Sequence, residues 1–223
     1  MYSFLFLINK PYILFTGGET AEMPGMYADG DFDLTGFARG AVSKGKLLPQ
    51  ENKISKGDSV IALISSSINP SSYGTVRRIL RKEKLTLESL APFAKNMRIK
   101  ECIAVENKIH VQSILPLMKK DYIKAASYIN EGGIAEGLKR ILPSSYRIVL
   151  DASTWTVPSV FTWMANVGQF SESEMLESFN CGIDMLLIVD KSLVSAVLDS
   201  LKASSEEAVV IGSVEINQKG ISV

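Results

Sequence analysis

The stretch GGETAEMPGMY, residues 17–27, is the one on which a reading of this chain turns. Gly17 and Gly18 follow an apolar run and let a ligand come close to the backbone. Exposed N–H groups in such a turn can cradle an anion such as phosphate. Glu19 and Glu22 offer hard carboxylate oxygens of the type magnesium prefers, and Thr20 adds a hydroxyl. The stretch is thus a candidate phosphate-and-magnesium loop, with Glu19 as a candidate magnesium ligand. A plain turn carrying solvated glutamates is the structural alternative, because Gly-Gly turns with nearby acids are common.

Upstream, YSFLFLI (2–8) and YILF (12–15) are apolar but interrupted by Asn9, Lys10 and Pro11. Neither approaches the ~20 residues of a membrane span. The pattern lacks the basic start and small-residue cleavage site of a signal peptide, so a buried strand entering the glycine turn is expected. Downstream, FDLTGFARGAVS (32–43) alternates in part, with Gly36 and Gly40 inside, which predicts a strand with close backbone approach. Residues 44–57 read as a connector. The domain boundary is placed there, dividing the chain into residues 1–55 and residues 56–223.

Beyond the connector the spacing predicts strands at 60–64, 122–129, 146–150, 183–189 and 209–216, with an edge strand at 220–223. Helices are expected at 73–84, 87–94, 105–118, from Gly132-Gly133 to about Leu142, and at 157–165, 172–178 and 193–202. Strict βαβ alternation is missing, so the expected class is α+β, a mixed α/β sandwich with helices packed on a mixed sheet.

The chain has 223 residues, 46% apolar and 22% charged, enough to bury a real core. Its 24 basic and 24 acidic residues balance, which excludes the basic footprint of a nucleic-acid binder. Cys102 and Cys181 form no CxxC pair, so neither a zinc site nor a disulfide framework is expected, and a cytoplasmic, reducing setting is. With His110 as the one histidine, chemistry needing two imidazoles within this chain is excluded. His110 is read as a surface or packing residue, since no acid or nucleophile stands beside it in a motif.

The 17–27 stretch resembles the signature of aminoimidazole ribonucleotide synthetase, formally phosphoribosylformylglycinamidine cyclo-ligase. The resemblance continues in register from residue 14 onward. DFDLTGFARGAVS (31–43) is similar to the family's next strand, and KGDSVIALISS (56–66) to its entry into the second domain. Tyr73, Val76, Arg77, Ile79 and Leu80 fit the following helix. Gly132, Gly133 and Arg140-Ile141-Leu142-Pro143 fit a later turn and helix. Trp155, Pro158, Val160, Phe161 and Trp163 fit a further block, and Phe179-Asn180-Cys181-Gly182-Ile183 the last motif.

The resemblance implies a dimeric enzyme of two-domain subunits that closes the imidazole ring of the purine precursor. ATP and magnesium activate the formyl oxygen of formylglycinamidine ribonucleotide. An internal nitrogen then displaces phosphate, giving aminoimidazole ribonucleotide, ADP and phosphate. Gly17, Gly18, Glu19, Thr20 and Glu22 become the expected ATP, phosphate and magnesium contacts, and Gly132 and Gly133 expected ribonucleotide contacts. In animals such a module is usually the middle of a trifunctional purine protein, so a homodimer or a place in a multifunctional chain is implied.

The chain departs from the family pattern in identifiable places. Only sixteen residues precede Gly17, where the family has a long nucleotide-binding region, so 1–55 is expected to be a remnant of the N-terminal domain and 56–223 a near-complete C-terminal domain. Residues 1–13 have no counterpart, and a gene-model artefact is their expected origin. In the loop 65–73 Asn69 stands at the family's histidine, which makes it the candidate catalytic position, yet Asn carries no proton near neutral pH. Ser67 and Ser72 replace glycines, and Pro70 removes a backbone donor. Val105-Glu106 replaces a Pro-Thr pair and Glu131 a glycine, bringing a negative charge that would repel a phosphate. Asp184 stands where glycine is usual and His110 where an aromatic is. Apolar periodicity is kept while loop chemistry changes, so the expected functions are ATP-dependent ring closure or a non-catalytic scaffold or dimerisation module. A relative acting on selenophosphate or thiamine phosphate is the remaining option.

Overall fold

The computed structural model describes residues 14–217, in two compact units, Met1–Ala41 and Val42–Val223. The first-unit residues 14–41 are exposed and irregular. Their ordered features are a bridge between Pro24 and Tyr27 and a hydrogen bond from the Tyr27 hydroxyl to Asp33, 2.7 Å. The strand expected at 32–43 does not form: Phe32, Leu34 and Phe37 are 85%, 69% and 104% exposed. Alternation licenses a strand only where a neighbouring ladder takes its N–H and C=O groups, and no such ladder reaches this segment among the described residues. Leu14 and Phe15, the end of the expected entry strand, are exposed as well. The rest of that strand, and the edge strand expected at 220–223, lie outside the described residues.

The second unit is built on five strands, β1 (Ser59–Ile64), β2 (Ile123–Tyr128), β3 (Tyr146–Leu150), β4 (Ile183–Val189) and β5 (Ala208–Ile216), in the order β2-β4-β1-β5-β3. Every pairing is antiparallel, so the sheet is not mixed. Ala62 faces Leu186 on one side of β1 and Val209 on the other. β1 and β4 are central and buried on both faces, which explains their unbroken apolar runs SVIALI and IDMLLIV.

The period-2 alternation of β1 assigns the two faces. Val60 and Ala62 join a large core with residues of the helices α1 (Tyr73–Lys82), α2 (Ile99–Ile103), α4 (Gly133–Lys139), α5 (Ser159–Gly168) and α6 (Glu172–Ser178). Phe161 and Phe179, both fully buried, meet there edge to face, their centroids 6.2 Å apart. Ile61 and Leu63 point the other way, into a smaller core closed by α3 (Val111–Lys119) and α7 (Val194–Ala203) through Ile114, Leu117, Val197 and Leu201.

Two expected helices shift. Residues 87–94 form turns: Thr86 N–H donates to Ser89 Oγ, and Leu90 bridges to Arg98. The helix begins instead at Ile99, where the Glu101 carboxylate accepts from the Arg98 N–H at 2.7 Å. The helix expected over 105–118 starts only at Val111, with His110 as its N-cap. The connector is not free of the second unit either, since Ile54 is 3% exposed and Gln50 N–H bonds the Lys124 carbonyl on edge strand β2.

Candidate functional site

β1 and β2 end, and β4 and β5 begin, at the same end of the sheet. The loops 65–72, 129–133, 179–182 and 204–207 therefore collect there, together with the segment 104–110 before α3. Asn69 lies in the first of them, 4% exposed. Its Nδ2 donates to the Ile129 carbonyl at 2.7 Å. Its Oδ1 accepts from the N–H and hydroxyl of Ser71 at 3.1 and 3.0 Å, capping the 3-10 turn Pro70–Ser72. Its N–H reaches Asn180 Oδ1 at 3.4 Å, and Asn180 Nδ2 bonds the Ser67 carbonyl at 3.0 Å. Three loops widely separated in sequence are thus tied together by two asparagines.

Gly132 and Gly133 adopt φ of +84° and +61°, which L residues with side chains rarely do. At Gly133 a Cβ would lie 2.3 Å from the Leu176 carbonyl oxygen and 2.9 Å from that of Phe179. Gly133 therefore lets α4 dock against α6 and its C-terminal turn, while a Cβ at Gly132 would meet the Glu136 side chain of α4 itself. Glu131, beside it, is exposed to solvent. Cys181, in the last motif, is buried, and burial pushes its thiol up to about 12, so it is no nucleophile near neutral pH.

Gly17, Gly18, Glu19, Thr20 and Glu22 lie in the first unit on exposed irregular chain, and Asn69, Gly132 and Gly133 in the second. Among the described residues no group of three His, Cys, Asp or Glu side chains converges as a metal site.

The residue the sequence reading undervalued is His110. It is 5% exposed, not on a surface, and it has acids for neighbours. Its Nδ1 lies 3.1 Å from Glu206 Oε2 and its Nε2 3.3 Å from Asp184 Oδ2. Glu206 also accepts from the Ser113 hydroxyl and from Lys108 Nζ, the latter at 2.9 Å. Burial pulls the His110 proton affinity down, but the bonds to Asp184 and Glu206 and their charges outweigh it and raise the pKa above 6.5. Glu206 moves the other way: burial raises it, and Ser113, Lys108 and His110 together bring it below the ordinary glutamate value. The partners lie 74 and 96 residues away along the chain, so no local motif could have shown them.

An antiparallel sheet with helices on both faces and a loop-built site at one end defines the class: the C-terminal domain of the synthetases that the sequence pattern resembles. Residues 55–223 match the family "AIR synthase related protein, C-terminal domain", and the chain belongs to that family. It is 42% identical over 204 residues to the trifunctional purine biosynthetic protein adenosine-3 of Gallus gallus and 40% identical over 205 residues to that of Bos taurus. Each match covers 92% of this chain and 20% of the relative, so the chain spans about a fifth of their length. Among solved structures it is similar to E. coli HypE, a hydrogenase maturation protein, with TM-score 0.51 and 18% identity over 77% of this chain and 47% of that one. The thiamine-monophosphate kinase of Stenotrophomonas maltophilia gives TM-score 0.51 at 14% identity, over 79% and 53%. These two likenesses concern the fold alone.

Proposed function

We propose that this chain serves de novo purine biosynthesis, as the C-terminal portion of an ATP-dependent ligase that closes formylglycinamidine ribonucleotide to aminoimidazole ribonucleotide. The observation that carries this reading is the gathering of loops 65–72, 129–133 and 179–182 at one end of the sheet, held by Asn69 and Asn180. Of these, the sequence resemblance gives the second loop to the ribonucleotide and places the candidate catalytic position in the first. Gly132 and Gly133 are the expected contacts at the second loop, and Asn69 the position corresponding to the family's histidine. In the arm 17–27, Gly17, Gly18 and Thr20 would face the phosphates of ATP. Glu19 and Glu22 match magnesium in donor type, since this ion takes one or two carboxylates beside a nucleotide's phosphates. When bound, magnesium would neutralise phosphate charge. On this reading residues 1–55 belong to an ATP-binding and dimerisation domain, and the working protein is a cytoplasmic homodimer or a module of a multifunctional purine enzyme. No helix among the described residues is long and apolar enough to cross a membrane.

One observation favours a second reading, a scaffold or dimerisation module without catalysis. Both polar atoms of the Asn69 side chain are engaged by Ile129 and Ser71, which leaves no proton-transfer group at that position. Titration calorimetry with formylglycinamidine ribonucleotide, with and without magnesium-ATP, on the longest natural form of the protein separates the two. Binding followed by ATP turnover supports the ligase. A folded protein that binds neither leaves the scaffold.

A further inference from the structure

His110 has one carboxylate against each ring nitrogen, at 3.1 and 3.3 Å, in a setting nearly closed to water. A neutral imidazole offers one N–H and one lone pair, so it can satisfy only one of two carboxylates and repels the other. Against two ionised carboxylates, both contacts are favourable only when both nitrogens carry a proton. The geometry therefore assigns His110 the imidazolium form.

The groups that face it come from every element around it. Glu206 precedes β5, Asp184 is on β4, and Lys108 on His110's own segment reaches Glu206 at 2.9 Å. Tyr128, at the end of β2, takes its hydroxyl contact from Asn107 at 3.0 Å; burial raises its pKa, Asn107 lowers it, and the charge of Asp184 raises it again. From α3 comes only the hydroxyl of Ser113, and from loop 65–72 only that of Ser67. Glu206 thus has two cations, whereas Asp184 pairs, among the described residues, with His110 alone. Asp184 in turn touches the loop. Its Oδ1 accepts from Ser67 Oγ at 3.5 Å, and Ser67 Oγ and N–H both meet Ser65 Oγ, at 2.8 and 3.1 Å. Its backbone carbonyl accepts from the Ile129 N–H at 2.8 Å, so the second loop begins on the same residue.

We propose that His110, Asp184 and Glu206 are positioning residues that form a pH-sensitive latch on the loop Ser65–Asn69. Doubly protonated, His110 fixes Asp184, and Asp184 fixes the serine hydroxyls. Once His110 loses a proton, Asp184 is a buried carboxylate facing a lone pair, and it turns away and frees the hydroxyls of Ser65 and Ser67, loosening a loop that Asn69 and Asn180 still tie. The latch orders the loop whatever the loop binds, so it stands apart from the ligase reading. Its sign follows from a raised folded-state pKa: the stabilisation is full below about 6.5, the unfolded value, and is lost as pH rises through the folded value.

Because His110 is the single histidine, its C2 proton gives an unambiguous NMR titration in the full chain. The expected midpoint lies above 6.5 and falls in Asp184→Asn, which removes the charge and keeps the shape. Hydrogen-exchange protection factors for the amides of 65–72 should follow the same midpoint, dropping about tenfold per unit by which the folded pKa exceeds the unfolded one. In His110→Gln the loop should exchange fast at every pH. If that variant fails to fold, Asp184→Asn, whose amide can face either form of the imidazole, should give loop protection that no longer follows the histidine titration. A midpoint at or below 6.5, or loop protection that is flat across the histidine titration, overturns the latch.

Discussion

The Asn69 amide links the start of loop 129–133 to a cap on the turn at 70–72. Asn69→Ala should therefore act on stability: losing the Ile129 bond and the cap costs about 2 kcal/mol, seen as a lowered denaturant midpoint at unchanged m. Gly133→Ala should cost more, about 3 kcal/mol or above, because the obstructing atoms are backbone carbonyls and φ is +61°. A melt of Gly133→Ala within a degree of the parent would disprove the proposed docking role. The same scale holds a contact that the sequence hides. An aspartate at 184 and a histidine at 110 each look like an isolated oddity in sequence, yet they are contact partners.

Elements that carry their own period were legible. Strands 146–150 and 183–189 and the helix 172–178 lie where the pattern put them, since the first alternates over its whole length, the second is a near-continuous apolar run and the third opens on a cap. For α6 the cap is reciprocal: Ser171 Oγ accepts from the Glu174 N–H, and the Glu174 carboxylate from the Ser171 N–H at 2.8 Å. Failures came where the deciding partner was distant or lacking. Residues 32–43 have a strand's alternation without a ladder, and 87–94 has apolar residues whose backbone is taken up by turns. The site was half legible: the loops could be named from their glycines and asparagines, but the buried cluster on His110 depends on contacts that only the sheet order creates. At the opposite end of the sheet a second ion pair was equally invisible. Lys124 on β2 reaches Asp58 beside β1 at 2.7 Å and Asp190 after β4 at 3.3 Å, with Asp58 3% exposed in its side chain. Lys124→Ala should destabilise by about 2 kcal/mol, because Asp58 keeps its Ser55 N–H bond but loses its cation. Lys124→Ala and Asp58→Asn combined should lose less than the sum, and strict additivity in that double-mutant cycle would show that the pair is not coupled.

For the whole molecule, the distribution of apolar surface separates the two units. The second unit buries its large aliphatic side chains in two cores, one on each face of the sheet. The first leaves Leu14, Phe15, Met26, Phe32, Leu34 and Phe37 at least half exposed. Exposed apolar residues scattered singly are ordinary, but so many within one short segment make a sticky surface that invites association. Among the described residues, the second unit draws none of its core from 14–41, so its stability should not depend on that segment. A chain starting at Val42 should therefore melt cooperatively within a few degrees of the full chain and stay monodisperse at concentrations where the full chain self-associates. Light scattering and calorimetry on the two forms side by side check both halves. If removing residues 1–41 instead abolished the cooperative transition, the arm would belong to the folding unit.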